Sequence, residues 1–224
     1  MTAAAPRDGA RAARLPLRPC RQFGERGGRP QVADGAVPRP TDAGAVVRDG
    51  SRQFDQRPEL EDDHGVTLAD YWPVRERHAI EYQRRVIEAG DKPLYDDVAA
   101  IETLDATLAV VSNNQQQTVD ALVERHEISD LFEHVCGREP TLAAMDRRKP
   151  DPHLIETTLE AIEASNALYV GDKHSDVVAA ARAGIDSAFL RRSHCRDVTL
   201  DRTPTYEVET LRELVDELAV SEEQ

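Results

Sequence analysis

Residues 167–190, ALYVGDKHSDVVAAARAGIDSAFL, constrain the fold more than any other stretch of the chain. Residues 167–170 form a short apolar run with a Val and a Tyr, the pattern of a strand buried on both faces. The run stops at Gly171-Asp172, which puts the Asp172 carboxylate at the carboxyl end of that strand. Ser175 then has the chemistry of a helix N-cap, and Asp176 sits in the first turn. Residues 177–183 are mostly good helix formers, and Gly184 supplies a stop. A second apolar run, 187–190, follows at once. Strand, acidic loop, helix, strand is the βαβ unit of a doubly wound α/β sheet, whose ligands bind at the carboxyl ends of the strands. Two carboxylates four residues apart at that edge suit a hard cation such as Mg²⁺. Read locally, Asp172 only ends a strand and Asp176 only complements the helix dipole.

The preceding residues repeat this pattern. Residues 107–112, TLAVVS, read as a buried strand, followed by Asn113-Asn114 and a helical pattern with Val119, Leu122 and Val123. A hydroxyl at a strand tip just before a helix is well placed to receive a phosphate, together with the free N–H groups of the first turn. Ser112 and Asn113 serve equally well as simple helix caps. Residues 132–136 are a further short strand candidate. Asp151 as N-cap with Pro152 at the first helical position then starts a helix continued by Ile155, Leu159 and Ile162. Lys149 precedes that start, where Pro150 holds the backbone extended. A lone lysine is ordinarily a solvated surface charge. Here it points toward the edge where Ser112, Asp172 and Asp176 gather, which makes charge neutralisation a credible role. Residues 205–208 suit an edge strand, and Leu211, Leu214, Val215 and Leu218 form the apolar side of a closing helix.

Upstream, residues 55–91 are helical in character. Tyr71, Val74, His78, Tyr82 and Val86 recur at spacings of three and four, with Trp72-Pro73 as a start and Gly90 as a stop. This reads as a small helical module beside the sheet, with His64 and His78 assigned to its packing and surface. Residues 94–104 suggest another short helix with Tyr95, Val98 and Ile101 on one side.

The first 52 residues differ in kind. They hold ten Arg, no Lys and five acidic residues, whereas the remainder carries a net charge of −19 within a chain total of −14. With no sustained periodicity, this segment is expected to be disordered or loosely attached. A basic arm contacting nucleic acid is the functional reading of such a segment, and the absence of Lys and of interleaved aromatics counts against it. A shifted reading frame in GC-rich DNA yields such Arg/Ala/Gly/Pro text, and sequencing across codons 1 to 60 would decide whether the segment is misread. The acidic, Lys-poor balance argues against nucleic acid and anionic membrane as partners and suits solubility at high salt, a halophile-like trait. Three scattered cysteines (Cys20, Cys136, Cys195) fit reduced thiols in a cytoplasm, without zinc-ligand spacing. No run is apolar enough to span a bilayer, and no signal peptide is evident.

Taken in order, Ser112-Asn113, then Lys149-Pro150-Asp151-Pro152, then Val170-Gly171-Asp172 with Asp176, Ala180 and Ala183-Gly184, resemble the haloacid dehalogenase (HAD) superfamily of phosphohydrolases. The match covers roughly residues 94–218. The resemblance implies an α/β fold with a Rossmann-like parallel sheet, helices on both faces and a small helical cap. It implies Mg²⁺-dependent hydrolysis of a small phosphorylated metabolite, a phosphomonoester, through an aspartyl-phosphate. By the same resemblance Ser112 and the Asn113 backbone hold phosphoryl oxygens, and Lys149 neutralises nucleophile and phosphoryl charge. Asp172 ligates Mg²⁺, while Asp176 supports the metal and orients Lys149. The expected layout is an atypical segment over 1–54, a cap-like module over 55–91 and a Rossmann-like core over 92–224.

One element of the family pattern is missing. Its members open with an apolar strand ending in Asp-x-Asp, the first Asp being the nucleophile, and no such strand is found in this chain. The nearest approach is residues 44–50, GAVVRDG, with the single carboxylate of Asp49. The central first strand is therefore expected to be missing or degenerate, leaving its neighbours unpaired unless another segment fills the slot. Two functions remain open: a phosphatase, or a non-catalytic phosphate- and Mg²⁺-binding remnant. An unrelated nucleotide-binding domain lacks the Gly-rich loop it requires. Dehalogenation has no need of the Asp172–Asp176 metal edge. Substrate and oligomeric state are not legible.

Overall fold

Alternate residues of the central strands enter different cores, which fixes a three-layer arrangement. The computed structural model describes residues 2–6 and 65–222; Asp49, His64 and the remainder of the Arg/Ala/Gly/Pro-rich stretch lie outside the described residues. Among the described residues six strands form one sheet: β1 (Thr2–Pro6), β2 (Ala106–Gln115), β3 (His134–Arg138), β4 (Leu168–Gly171), β5 (Asp186–Leu190) and β6 (Tyr206–Val208). Their spatial order is β3-β2-β1-β4-β5-β6. The β2–β3, β4–β5 and β5–β6 pairs are all parallel. Leu108 and Val110 of β2, with Leu168 and Val170 of β4, pack on Val119, Val123, Leu211 and Leu214. Ala109, Val111 and Tyr169 turn the other way, onto Leu154, Ile155, Ala179 and Ala180. This alternation follows from the two-residue period of a strand.

The helices are α1 (Leu68–Glu88), α2 (Gln116–Arg125), α3 (His153–Ala161), α4 (His174–Arg182) and α5 (Leu211–Glu222). Thus α2 and α5 cover one face of the sheet, and α3 and α4 the other. This is the Rossmann-like α/β layering that the residue pattern predicts. Glycine is required where α2 approaches β3: a Cβ on Gly137 would lie 2.7 Å from the Gln116 Cα. The Gln116 side chain locks that approach, donating to the Val135 carbonyl at 3.0 Å and accepting the Gly137 N–H at 2.5 Å.

The slot between β2 and β4 is filled, and by an unexpected segment. Strand β1 runs antiparallel to both neighbours, pairing over five residues with β2 but only at Ala3 and Ala4 with β4. Its sequence, TAAAP, carries no carboxylate. The backbone groups of a central slot must find partners, and this short Ala-rich strand supplies some of them.

Several boundaries differ from the sequence expectations. The ladder carries β2 to Gln115, beyond Ser112, because it rejoins β3 at Gln115–Arg138 after an irregularity that follows Val111. Strand β3 begins at His134 rather than 132, and residues 98–103 form a 3₁₀ helix in place of a longer helix over 94–104. Helix α1 starts at Leu68, where the Thr67 hydroxyl accepts the Asp70 N–H, so Pro73 lies inside it. The predicted stripe along α1 is also placed differently. Tyr71, Val74 and Tyr82 are exposed, whereas Glu76 and Ile87 are the buried residues. The described residues divide into two compact units, one of residues 2–6 and 76–222, the other contributing residues 65–75. In the latter, the Arg75 guanidinium lies 5.0 Å from the Trp72 ring centre. Among the described residues no helix is long and apolar enough to cross a membrane.

Candidate active site at the carboxyl edge of the sheet

The carboxyl ends of β2 and β4, with the loop entering α3, bring Ser112, Asn113, Lys149, Asp172 and Asp176 together. Lys149 is the node. Its side chain is fully buried, with Nζ 3.1 Å from Asp176 Oδ1 and donating to the Val111 carbonyl at 3.2 Å and to the Tyr169 hydroxyl. Its backbone is clamped by the Asn113 side chain, whose Oδ1 accepts the Lys149 N–H at 2.9 Å while Nδ2 donates to the Lys149 carbonyl at 3.1 Å. The Lys149–Pro150 peptide is cis, and Arg182 from the end of α4 donates to the Pro150 carbonyl at 2.9 Å. Helix α3 then begins at His153, one residue later than predicted, with Asp151 Oδ1 accepting the His153 N–H at 3.0 Å.

Ser112 is buried, and its Oγ accepts the Asn114 N–H at 3.1 Å. The hydroxyl proton is thereby left to donate elsewhere. A helix does not begin directly after Asn113; α2 starts at Gln116, and Ser112 and Asn113 belong to the irregular end of β2.

The two aspartates differ in their commitments. Asp176 Oδ2 accepts the Lys173 N–H at 3.0 Å while Oδ1 faces the Lys149 ammonium, so both oxygens are engaged. Helix α4 therefore starts at His174 with Asp176 folded back over its first turn, in place of a Ser175 cap. Gly171 makes room for this: a Cβ there would lie 2.5 Å from Asp176 Oδ2. Asp172 is 2 % exposed; its Oδ2 meets His194 Nε2 at 2.9 Å, and its Oδ1 is buried without a hydrogen-bond partner among the described residues. A buried carboxylate oxygen with no donor is a cost unless a cation or water meets it. The donor set fits a hard cation through Asp172 Oδ1, completed by phosphate and water oxygens. Asp176 stands one step back. Among the described residues no group of three or more His, Cys, Asp or Glu is placed to hold a metal by itself.

Burial dominates the electrostatics of the pair. It pushes the Lys149 ammonium below its ordinary value, against the Asp176 charge that raises it, and pushes the Asp176 carboxyl up, against the Lys149 charge that lowers it.

His194, from the loop after β5, escaped the sequence reading, as did Arg138 and Glu76. His194 Nδ1 also lies 3.4 Å from the Tyr95 hydroxyl. Arg138 donates from Nε to the Asn113 carbonyl at 3.1 Å and meets both carboxylate oxygens of Glu76. Nothing local in the sequence marks these residues, since the partners that place them at the site are 22 to 99 positions away.

The arrangement offers an anion a hydroxyl, a buried ammonium and a cation-ready carboxylate on one edge. The chain is 30% identical over 118 residues to a phosphoglycolate phosphatase of Vibrio parahaemolyticus, covering 51% of the chain and 50% of that protein. It is 37% identical over 103 residues to a phosphoglycolate phosphatase of Aliivibrio fischeri, covering 43% and 44%. The chain thus spans about half the length of the curated relatives it matches. The fold is similar to that of CbbY from Rhodobacter sphaeroides in its phosphate complex, with a TM-score of 0.54 at 18% identity over 62% of this chain and 63% of that one. The model of the haloacid dehalogenase-like hydrolases matches residues 65–190, more than half of the chain, and the chain belongs to that family.

Proposed function

We propose that this edge is the phosphoryl site of a Mg²⁺-dependent phosphomonoester hydrolase acting on a small phosphorylated metabolite. The observation that carries the reading is the buried Lys149–Asp176 pair at 3.1 Å, set between Val111-Ser112 and an Asp172 oxygen that meets no donor among the described residues. Ser112 Oγ, already accepting from Asn114, donates its proton to a phosphoryl oxygen. Lys149, held by Asn113 along its backbone and by Asp176 at its head, offsets charge gathering on the equatorial oxygens. Asp172 Oδ1 would hold Mg²⁺, which would polarise the phosphoryl group when bound. Asp176 supports this cation at one remove and orients Lys149. The nucleophilic carboxylate of an aspartyl-phosphate route is not among these residues. Phosphoglycolate, the substrate in the names of the similar proteins, heads the small phosphomonoesters to test. Buried thiols at Cys136 and Cys195 suit a cytoplasmic setting.

A second reading, a non-catalytic phosphate- and Mg²⁺-binding remnant, is favoured by β1, which stands between β2 and β4 without a carboxylate. Hydrolysis of p-nitrophenyl phosphate with and without Mg²⁺ separates the two. An enzyme shows Mg²⁺-dependent turnover that Lys149→Ala and Asp172→Ala each reduce by about 100-fold or more. A rate indifferent to both substitutions removes the assigned site. Absence of turnover with retained phosphate binding selects the remnant, whereas activity regained in a chain carrying an Asp-x-Asp start establishes a misread N-terminus of an enzyme.

A further inference from the structure

Arg138 lies opposite Gln115, where the β2–β3 ladder resumes after its irregularity. The residues between, 112–114, carry the hydroxyl and the amide of the site. A bulge of this kind leaves backbone groups out of the ladder, and bulges re-aim side chains next to functional sites. Here the Asn113 carbonyl turns to Arg138 Nε at 3.1 Å, while the N–H of the same peptide unit, from Asn114, goes to Ser112 Oγ at 3.1 Å. One peptide plane therefore links Arg138 to the Ser112 hydroxyl. The Asn113 side chain, leaving from the same residue, clamps the Lys149 backbone.

The rest of the guanidinium is also committed. Nη1 donates to the Glu139 carbonyl at 3.0 Å, and Nη2 lies 3.0 Å from Glu76 Oε1 and 2.8 Å from Oε2. Arg138 and Glu76 are 5% and 1% exposed. A charge pair this deep carries a desolvation cost that an apolar pair of similar volume avoids. A planar fork that fixes several acceptors at once is something an apolar pair cannot supply.

We propose that Arg138 is a positioning residue, which braces the bulge of β2 so that Ser112 Oγ and the Asn113 amide are held for anion binding, with Glu76 as its charge partner. The inference rests on the reading of Ser112 and Lys149 as an anion site.

The test compares Arg138→Met with the double variant Glu76→Met/Arg138→Met in the full chain. Three quantities are measured: thermal midpoint, affinity for inorganic phosphate by calorimetry, and exchange of the Asn114 amide hydrogen by NMR. Arg138→Met lowers the midpoint, because it takes the guanidinium charge away from the buried Glu76 carboxylate. The double variant recovers the midpoint, because both charges are gone. Phosphate affinity stays about 10-fold weaker in both, the scale on which outer-shell partners act. The Asn114 amide exchanges faster in both. A double variant that binds phosphate like the parent and protects Asn114 like the parent overturns the proposal. Ser112→Ala and Lys149→Ala serve as separate controls. If they leave phosphate affinity unchanged, the anion-site reading fails, and Asn114 exchange alone still decides whether Arg138 braces the bulge.

Discussion

Lys149 and Arg138 are both buried cations paired with buried carboxylates, and they grip the same short stretch of β2 from different directions. Lys149 reaches the Val111 carbonyl and, through its backbone, the Asn113 side chain; Arg138 reaches the Asn113 carbonyl. Their chemistry differs. The guanidinium cannot shed its proton in a protein and spreads its donors over Asn113, Glu139 and Glu76. The ammonium is a compact charge that burial already pushes toward neutrality. One cation is suited to holding a shape, the other to meeting a charge that arrives with a ligand.

If that contrast is right, the largest effect follows from Glu76→Gln. Arg138 loses the carboxylate charge that faces it at 2.8 Å, and stability falls by about 3–5 kcal/mol, the usual result of breaking one side of a buried pair. Denaturant midpoints give the value directly. Asp176→Asn comes next, at about 1–3 kcal/mol, because Lys149 can escape by losing its proton. A loss from Asp176→Asn as large as that from Glu76→Gln would break the comparison.

The same substitution carries a pH dependence. With Asp176 neutralised, the folded-state pKa of Lys149 sinks further below its unfolded value near 10.5. Between those two values the unfolded chain binds the extra proton, so stability rises with pH. The deficit of Asp176→Asn relative to the parent is therefore expected to shrink on the alkaline side. Unfolding measured from neutral pH to about pH 10 checks the sign.

Asn113→Ala sharpens the picture at about 1–2 kcal/mol, since the Lys149 N–H and carbonyl both lose partners at a half-buried position. Differential scanning calorimetry reads the loss. The smallest effect belongs to His194→Gln. With its side chain 43% exposed, stability shifts by no more than about 0.5 kcal/mol. Mg²⁺ affinity nevertheless falls, because Asp172 Oδ2 loses its positioner. Titration with Mn²⁺ followed by electron paramagnetic resonance separates these two outcomes.

What could be read from the sequence was whatever is written locally. The strand ending at Gly171-Asp172, the helix after it and the Lys149-Pro150-Asp151-Pro152 turn follow from neighbours a few residues apart. The five edge residues converge because parallel strands share a carboxyl edge. The misplaced stripe on α1 has a definite cause. The inward side carries Glu76, and counting apolar residues selects Tyr71, Val74 and Tyr82 instead. Asn113 and Asn114 look like the end of a strand by composition, yet the ladder with β3 resumes beyond them at Gln115. TAAAP has little intrinsic strand character, and its place in the sheet comes from the vacancy between β2 and β4. Arg138, Glu76 and His194 depend on partners that only the folded chain brings near.

The phenol of Tyr169 gives the site an optical handle. Its oxygen accepts from the Lys149 ammonium and donates to the Val111 carbonyl, in a chain with only four other tyrosines. On the proposal that an anion draws on that ammonium, the phenol's ultraviolet band is expected to move on binding, so that occupancy could be followed without a dye, a label or turnover.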